Sequence, residues 1–179
     1  MEIDKNYFEL FSLPVDFDVD SSSLSVTFRE LQKAVHPDKF VKGGSQERLR
    51  SVQQAALINE AYNTLKDPLR RAKYLLEMKG LLLDKDNNST LPPAFLMQQI
   101  EMREQIEHTK KQKDIDALDQ TSDQINHLLN GRLELIGKLF RQPSPDFEKI
   151  AEHVQEALFF ARMQESVDAI SIAIENSEE

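Results

Sequence analysis

The chain of 179 residues contains no cysteine. That one absence excludes disulfides, thiol catalysis and thiolate metal ligation together. Tryptophan is missing too, and glycine and proline are sparse, at 5 and 7 residues. With few turn-formers and no sustained alternation of apolar and polar residues, the pattern leaves little for a sheet and points to an all-α chain. No apolar window approaches the length that spans a bilayer. The opening Met1-Glu2-Ile3-Asp4 carries acids rather than an apolar signal core or an arginine-rich transit stretch, so a soluble, cytoplasmic protein with no membrane contact is expected. No phosphate-binding glycine loop, dinucleotide fingerprint or serine–histidine–aspartate grouping occurs. His108, His127 and His153 fall on separate predicted helices, without the Glu-x-x-His pairs from which di-iron bundles are made. No catalytic residue, metal or cofactor is expected, and a helical-bundle metalloenzyme is disfavoured.

Acids outnumber bases in one part of the chain only. Residues 1–75 carry 11 basic and 11 acidic side chains, whereas residues 76–179 carry 11 basic and 20 acidic, so the whole net charge of −9 belongs to the second part. Nucleic-acid binding needs a basic surface, and the acidic second part argues against that role. The two halves look built for partners of different character.

What is present is a helical hairpin around His36-Pro37-Asp38. Leu24, Phe28, Leu31 and Val35 recur at spacings of four, three and four, one face of a helix over 22–35. Asp20 and the serines after it are N-cap candidates. Pro37 stops the helix, since it lacks an N–H and pushes His36 out of the α region. A second amphipathic run follows, with Val52, Ala55, Ile58, Tyr62 and Leu65 on one face, closing at Lys66-Asp67-Pro68. The tripeptide therefore lies in an outward-facing loop, flanked mostly by Arg29, Lys33, Lys39, Lys42, Arg48 and Arg50. Such a basic loop suits an acidic protein groove.

A short helix before the hairpin carries Tyr7, Phe8, Leu10, Phe11 and Leu13 and ends at Pro14. A further helix is expected over 69–79, with Gly80 as its stop. These make a first domain over 1–80, followed by a polar linker over 81–93. Residues 94–179 read as three helices joined by short turns, hence an antiparallel bundle. Ser144 with Pro145 is expected to open the last helix. In the helix after Pro93, Phe95, Met102 and Ile106 fall within roughly 20° of one line at about 100° per residue, and make the expected core stripe. Leu96, Met97 and Ile100 form a second apolar arc, with Glu104 among them. In the last helix, Leu158 and Phe159 fall outside the core stripe, which leaves either a wider core there or further docking surface. The second arc of the helix after Pro93 either packs on the first domain or another bundle helix, or is a docking patch rimmed by acids, as exposed contiguous apolar surface often is.

Tyr7-Phe8, His36-Pro37-Asp38-Lys39-Phe40 and Ile58-Asn59-Glu60-Ala61-Tyr62-x-x-Leu65-Lys66-Asp67-Pro68 resemble a J-domain. Leu69-Arg70-Arg71-Ala72-Lys73-Tyr74-Leu75-Leu76, with Ala94-Phe95-Leu96-Met97-x-x-Ile100-Glu101-Met102-Arg103-Glu104, resembles the HscB family of J-type co-chaperones in iron–sulfur cluster assembly. The resemblance implies two protein partners: HscA, a heat-shock ATPase chaperone of the DnaK class, and the scaffold protein IscU. It assigns chaperone binding to Arg29, Lys33, His36, Pro37, Asp38, Lys39 and Lys42. It assigns scaffold binding to Leu96, Met97, Ile100, Glu101, Glu104 and Phe159. Lacking the cysteines that normally bind iron–sulfur clusters, the chain would handle another protein that holds one, and would act as a monomer. The alternative is a J-protein delivering a different client to a DnaK-type chaperone.

Overall fold

The computed structural model describes residues 6–36, 44–83 and 91–178. Among them the regular structure is all helical: α1 (Tyr7–Leu10), α2 (Ser21–Val35), α3 (Ser45–Lys66), α4 (Pro68–Met78), α5 (Pro93–Gln112), α6 (Ile115–Phe140) and α7 (Phe147–Glu178). Contacts divide the chain into two compact units, residues 1–78 and 79–179.

The first unit begins with a capping box. Asn6 Oδ1 accepts from the Glu9 N–H at 2.9 Å, and Glu9 Oε2 accepts from the Asn6 N–H at 3.2 Å, so two orphan donors are satisfied reciprocally. The helix stops within four residues, and Ser12 sits at a left-handed φ of 55°. Phe8 and Phe11 are fully buried, while the Tyr7 ring stacks on Tyr74 at 4.4 Å. Burial, with the Glu60 carboxylate close by, pushes the Tyr7 phenol above its ordinary range.

The expected hairpin forms from α2 and α3. Asp20 caps α2 by accepting from the Ser22 and Ser23 N–H groups at 3.0 and 3.2 Å. Leu24 and Val35 are buried and Phe28 and Leu31 half-buried, as the spacing predicts. Polar ties join the two helices in antiparallel order: Ser25 with Tyr62, Gln32 with Asn59, and Ser51 with the Val35 carbonyl. One residue of α3 departs from expectation. Val52 is 56% exposed, and Ser51 takes the buried place instead. Ser51, Ile58 and Leu65 are spaced by seven, two turns of helix, and so keep one seam toward the core; Val52 lies about 100° off it. In α4, Arg71 is buried. Its guanidinium lies over the Phe17 ring at 5.1 Å, and Nη1 donates to the Leu65 carbonyl. Desolvation draws its pKa down, against the opposing fields of Asp18, Asp67 and Asp16. Beyond Met78, Gly80 takes a φ of +82°, a conformation glycine adopts without steric cost.

The second unit contains α5, α6 and α7 packed against one another. Arg132 meets His153 and Glu156, and Ser122 meets Gln164; rising numbers on α6 pair with falling numbers on α7, so these two are antiparallel. Leu118, Ile125, Ile136 and Leu139 are buried along α6. The start of α7 is corrected. Asp146, not Ser144, caps it, accepting from the Lys149 N–H at 3.1 Å while its carbonyl takes the Ile150 N–H. A carboxylate placed one residue before Phe147 outcompetes the earlier hydroxyl for the orphan donors of the first turn.

Candidate partner-docking faces

The first face lies at the end of α2. Arg29, Lys33 and His36 are all exposed and are spaced by four and three residues, which stacks them on one side of the helix. With Gln32 they line a shallow depression. Arg29 Nε donates to the Ser25 carbonyl at 3.2 Å, and Gln32 is held by Asn59 at 3.1 Å, so the file has a fixed base. At His36 the chain leaves the helix with φ −60° and ψ 129°. Pro37, Asp38, Lys39 and Lys42 lie outside the described residues.

The second face is on α5. Phe95, Gln99, Ile106 and Thr109 are buried and Met102 is half-buried, spaced as one inward stripe. Met97 and Ile100 are 57% and 50% exposed, and Glu101 and Glu104 are exposed beside them. The spacing of three, one and three puts these four on a single face. Leu96 is half-buried and packs against the core, so it borders this face rather than standing wholly on it.

Phe159 is a correction. It is 1% exposed and belongs to the core, with Phe95 and Phe160 edge-on at 5.6 and 5.7 Å. The reason is that α7 packs against both α5 and α6, so its buried arc is wider than one stripe. The Arg103 guanidinium lies over the Phe159 ring at 5.8 Å. Arg103, exposed on α5, was not among the residues assigned to scaffold binding.

His153 is also more than a surface histidine. Glu156 is buried, and its Oε2 receives Arg132 Nη1 at 2.9 Å and faces His153 Nδ1 at 3.0 Å. The pair His153 and Glu156 was readable as neighbours three apart on one helix; Arg132, from α6, was not. Among the described residues no cluster of three or more histidines, cysteines and carboxylates is placed to hold a metal ion, and no helix is long and apolar enough to cross a membrane.

Comparison with known proteins decides the family. The co-chaperone protein HscB homolog of Shewanella oneidensis is 40% identical over 177 residues, covering 94% of this chain and 98% of that one. The homolog from Burkholderia multivorans is 38% identical over 164 residues, covering 92% and 93%. The chain belongs to the HscB co-chaperone family. The solved structure of chaperone HscB from Vibrio cholerae matches with a TM-score of 0.79 at 37% identity, over 95% of this chain and 99% of that one. A family model described as the HSCB C-terminal oligomerisation domain matches residues 91–168. That segment includes all of α5 and α6 and most of α7, and so every residue of the second face.

Proposed function

We propose that this HscB-family chain is a J-type co-chaperone of iron–sulfur cluster assembly that stimulates the ATPase of HscA and delivers IscU to it. The carrying observation is that two chemically different exposed faces stand on two separate compact units: the cations Arg29 and Lys33 with His36 at the helix end on one, and the apolar pair Met97 and Ile100 beside Glu101 and Glu104 on the other. A cationic file beside a loop guides docking to an acidic groove and sets orientation and on-rate. In this reading Lys39 and Lys42 extend that field, Asp38 engages an arginine of the ATPase, and His36 with Pro37 fixes the loop. Hydrolysis is chemistry of the chaperone; this chain contributes binding alone. On the second unit, Met97 and Ile100 anchor IscU, Leu96 adds its outer edge, and Glu101 and Glu104 rim the contact. Phe159, packed on Phe95 with Arg103 over its ring, holds α5 in place from the core side.

The test uses two variants of the full chain. His36→Gln is expected to keep its helical spectrum and its IscU binding while HscA stimulation falls to background. Met97→Ala with Ile100→Ala is expected to weaken IscU binding by several hundredfold, as two anchors of roughly 2 kcal/mol each require, with stimulation by the chain alone unchanged. Normal stimulation by His36→Gln removes the chaperone claim. A second reading rests on the oligomerisation domain named by the family model: the same apolar face meeting a second copy. Sedimentation at rising concentration separates the two, because concentration-dependent association abolished by the double variant, with IscU binding intact, assigns the face to self-association and overturns the monomer reading.

A further inference from the structure

Ser51 stands on a helix, yet its hydroxyl does not bond within that helix. Ser25, Thr109 and Thr121 each donate to the carbonyl four residues back in their own helices, the usual outlet for a helical hydroxyl. Ser51 Oγ instead crosses from α3 to α2 and donates to the Val35 carbonyl at 2.6 Å. Ser51 is 2% exposed and Val35 7% exposed, so the bond is made away from water. Val35 is the last residue of α2. Its carbonyl belongs to the group that a helix C-terminus leaves without an intrahelical partner. Continuing the helix is prevented, because the next residue but one is Pro37 and His36 already has extended dihedrals. The orphan carbonyl immediately before His36 is therefore satisfied by the buried hydroxyl of another helix.

We infer that Ser51 is a positioning residue for chaperone stimulation: by clamping the Val35 carbonyl it fixes the direction in which the chain leaves α2 at His36. The inference rests on the chaperone-stimulating reading above. The bond acts where α2 ends and the chain turns out at His36. A rotation of the Val35–His36 peptide swings His36 away from Lys33 and Arg29, and that rotation must first break the Ser51 bond. Removing the hydroxyl leaves α2 and α3 held by Leu24, Ile58 and Leu65 in the core and by the Gln32–Asn59 tie. It also leaves a buried carbonyl that gains by turning toward water. The exit then samples several directions, of which one docks.

This arrangement predicts a specific kinetic form. When only a fraction of molecules is competent, apparent affinity drops by that fraction, while saturation still recruits the competent form. For the full chain, Ser51→Ala is expected to raise the half-saturating concentration for HscA stimulation about tenfold, matching a tenfold lower competent fraction. Maximal stimulation should stay within about twofold of the parent, since the docked complex is the same one. Ser51→Thr, which restores a hydroxyl, should return the half-saturating concentration toward that of the parent. Tyr62→Phe serves as the structural control, because it deletes the hydroxyl that faces Ser25 at 3.4 Å, at the other end of the same hairpin; it should leave the stimulation curve in place. If Ser51→Ala melts below assay temperature, Ser51→Cys, with similar volume and a weaker donor, is read by the same criteria.

The inference is overturned if folded Ser51→Ala (or Ser51→Cys) shows the parental half-saturating concentration, or if Tyr62→Phe shifts the curve as far, since the effect would then be general hairpin loosening. His36→Gln is run alongside. Abolished stimulation there with an unshifted Ser51 variant sinks only the positioning role. Normal stimulation by His36→Gln sinks the chaperone reading itself.

Discussion

Truncating Phe159 and truncating Met97 have opposite expected outcomes, although both belong to the residues that the family resemblance assigns to scaffold binding. Phe159 is buried, with Phe95 and Phe160 against its ring. Phe159→Ala should cost about 3–5 kcal/mol of stability, the usual range for a buried aromatic replaced by alanine. Met97 is 57% exposed, and Met97→Ala should leave the melting curve within about 0.5 kcal/mol of the parent, as surface changes do. Thermal melting beside IscU binding for each single variant checks both. A Phe159→Ala chain that melts normally and loses IscU would return the ring to the docking face. The inward stripe of α5 was legible because Phe95, Met102 and Ile106 keep one helical spacing. For Phe159 the pattern allowed either a wider core or a docking face, and the family resemblance tipped it to the face; a helix with two neighbours in a bundle buries the wider arc. For the same reason Leu96 could be placed near the second face but its half-burial could not be read.

The hairpin shows what element-scale signals carry. The α2 stripe and its Asp20 cap were both readable, because cap chemistry and spacing agree on where the helix begins. Ser51 was not, since a serine at a core position carries no apolar signal, and the neighbouring Val52 attracted the assignment. The cap of α7 was misplaced for a related reason: Ser144 and Asp146 are both good caps, and only geometry shows which carboxylate or hydroxyl reaches the free N–H groups. At the start of α2 the cap makes a pH prediction. The Asp20 carboxylate accepts from the Ser23 hydroxyl and from the Ser22 and Ser23 N–H groups, and these bonds hold its pKa below the ordinary carboxylate value. A group with a depressed folded pKa stabilises the fold above its unfolded value and loses that contribution as pH falls through the folded one. On acidification, hydrogen exchange at the Ser22 and Ser23 amides should therefore accelerate beyond its intrinsic pH trend. Asp20→Asn, which caps without titrating, should follow the intrinsic trend alone. Identical profiles for the two chains would show that the carboxylate does not control this helix end.

On the scale of the whole molecule, charge and burial follow the same division. The surplus of acids belongs to residues 76–179, while Phe8, Phe11, Leu24, Ile58, Leu65 and Leu76 give residues 1–78 fully buried side chains of their own. A fragment ending at Gly80 is expected to fold cooperatively, with the modest stability of a domain near this size. It carries the whole cationic file, so it should stimulate HscA when supplied at high concentration. It lacks Met97 and Ile100, so it should not bind IscU. In the full chain, IscU and the file that docks on the chaperone are carried by one molecule, and such a tether makes the second encounter intramolecular and raises its effective concentration. The full chain and IscU together should then stimulate HscA at concentrations far below those the fragment needs, whereas fragment and IscU should act only additively. Raising salt should weaken the fragment's action, because screening shortens the reach of exposed charges such as Lys33 and Arg29. It should affect IscU capture less, since that contact has an apolar centre. The decisive measurement is HscA turnover against co-chaperone concentration, with and without IscU, for fragment and full chain. Equal cooperation with IscU by both would mean that the second unit adds nothing by tethering, and that the scaffold reaches the chaperone unaided.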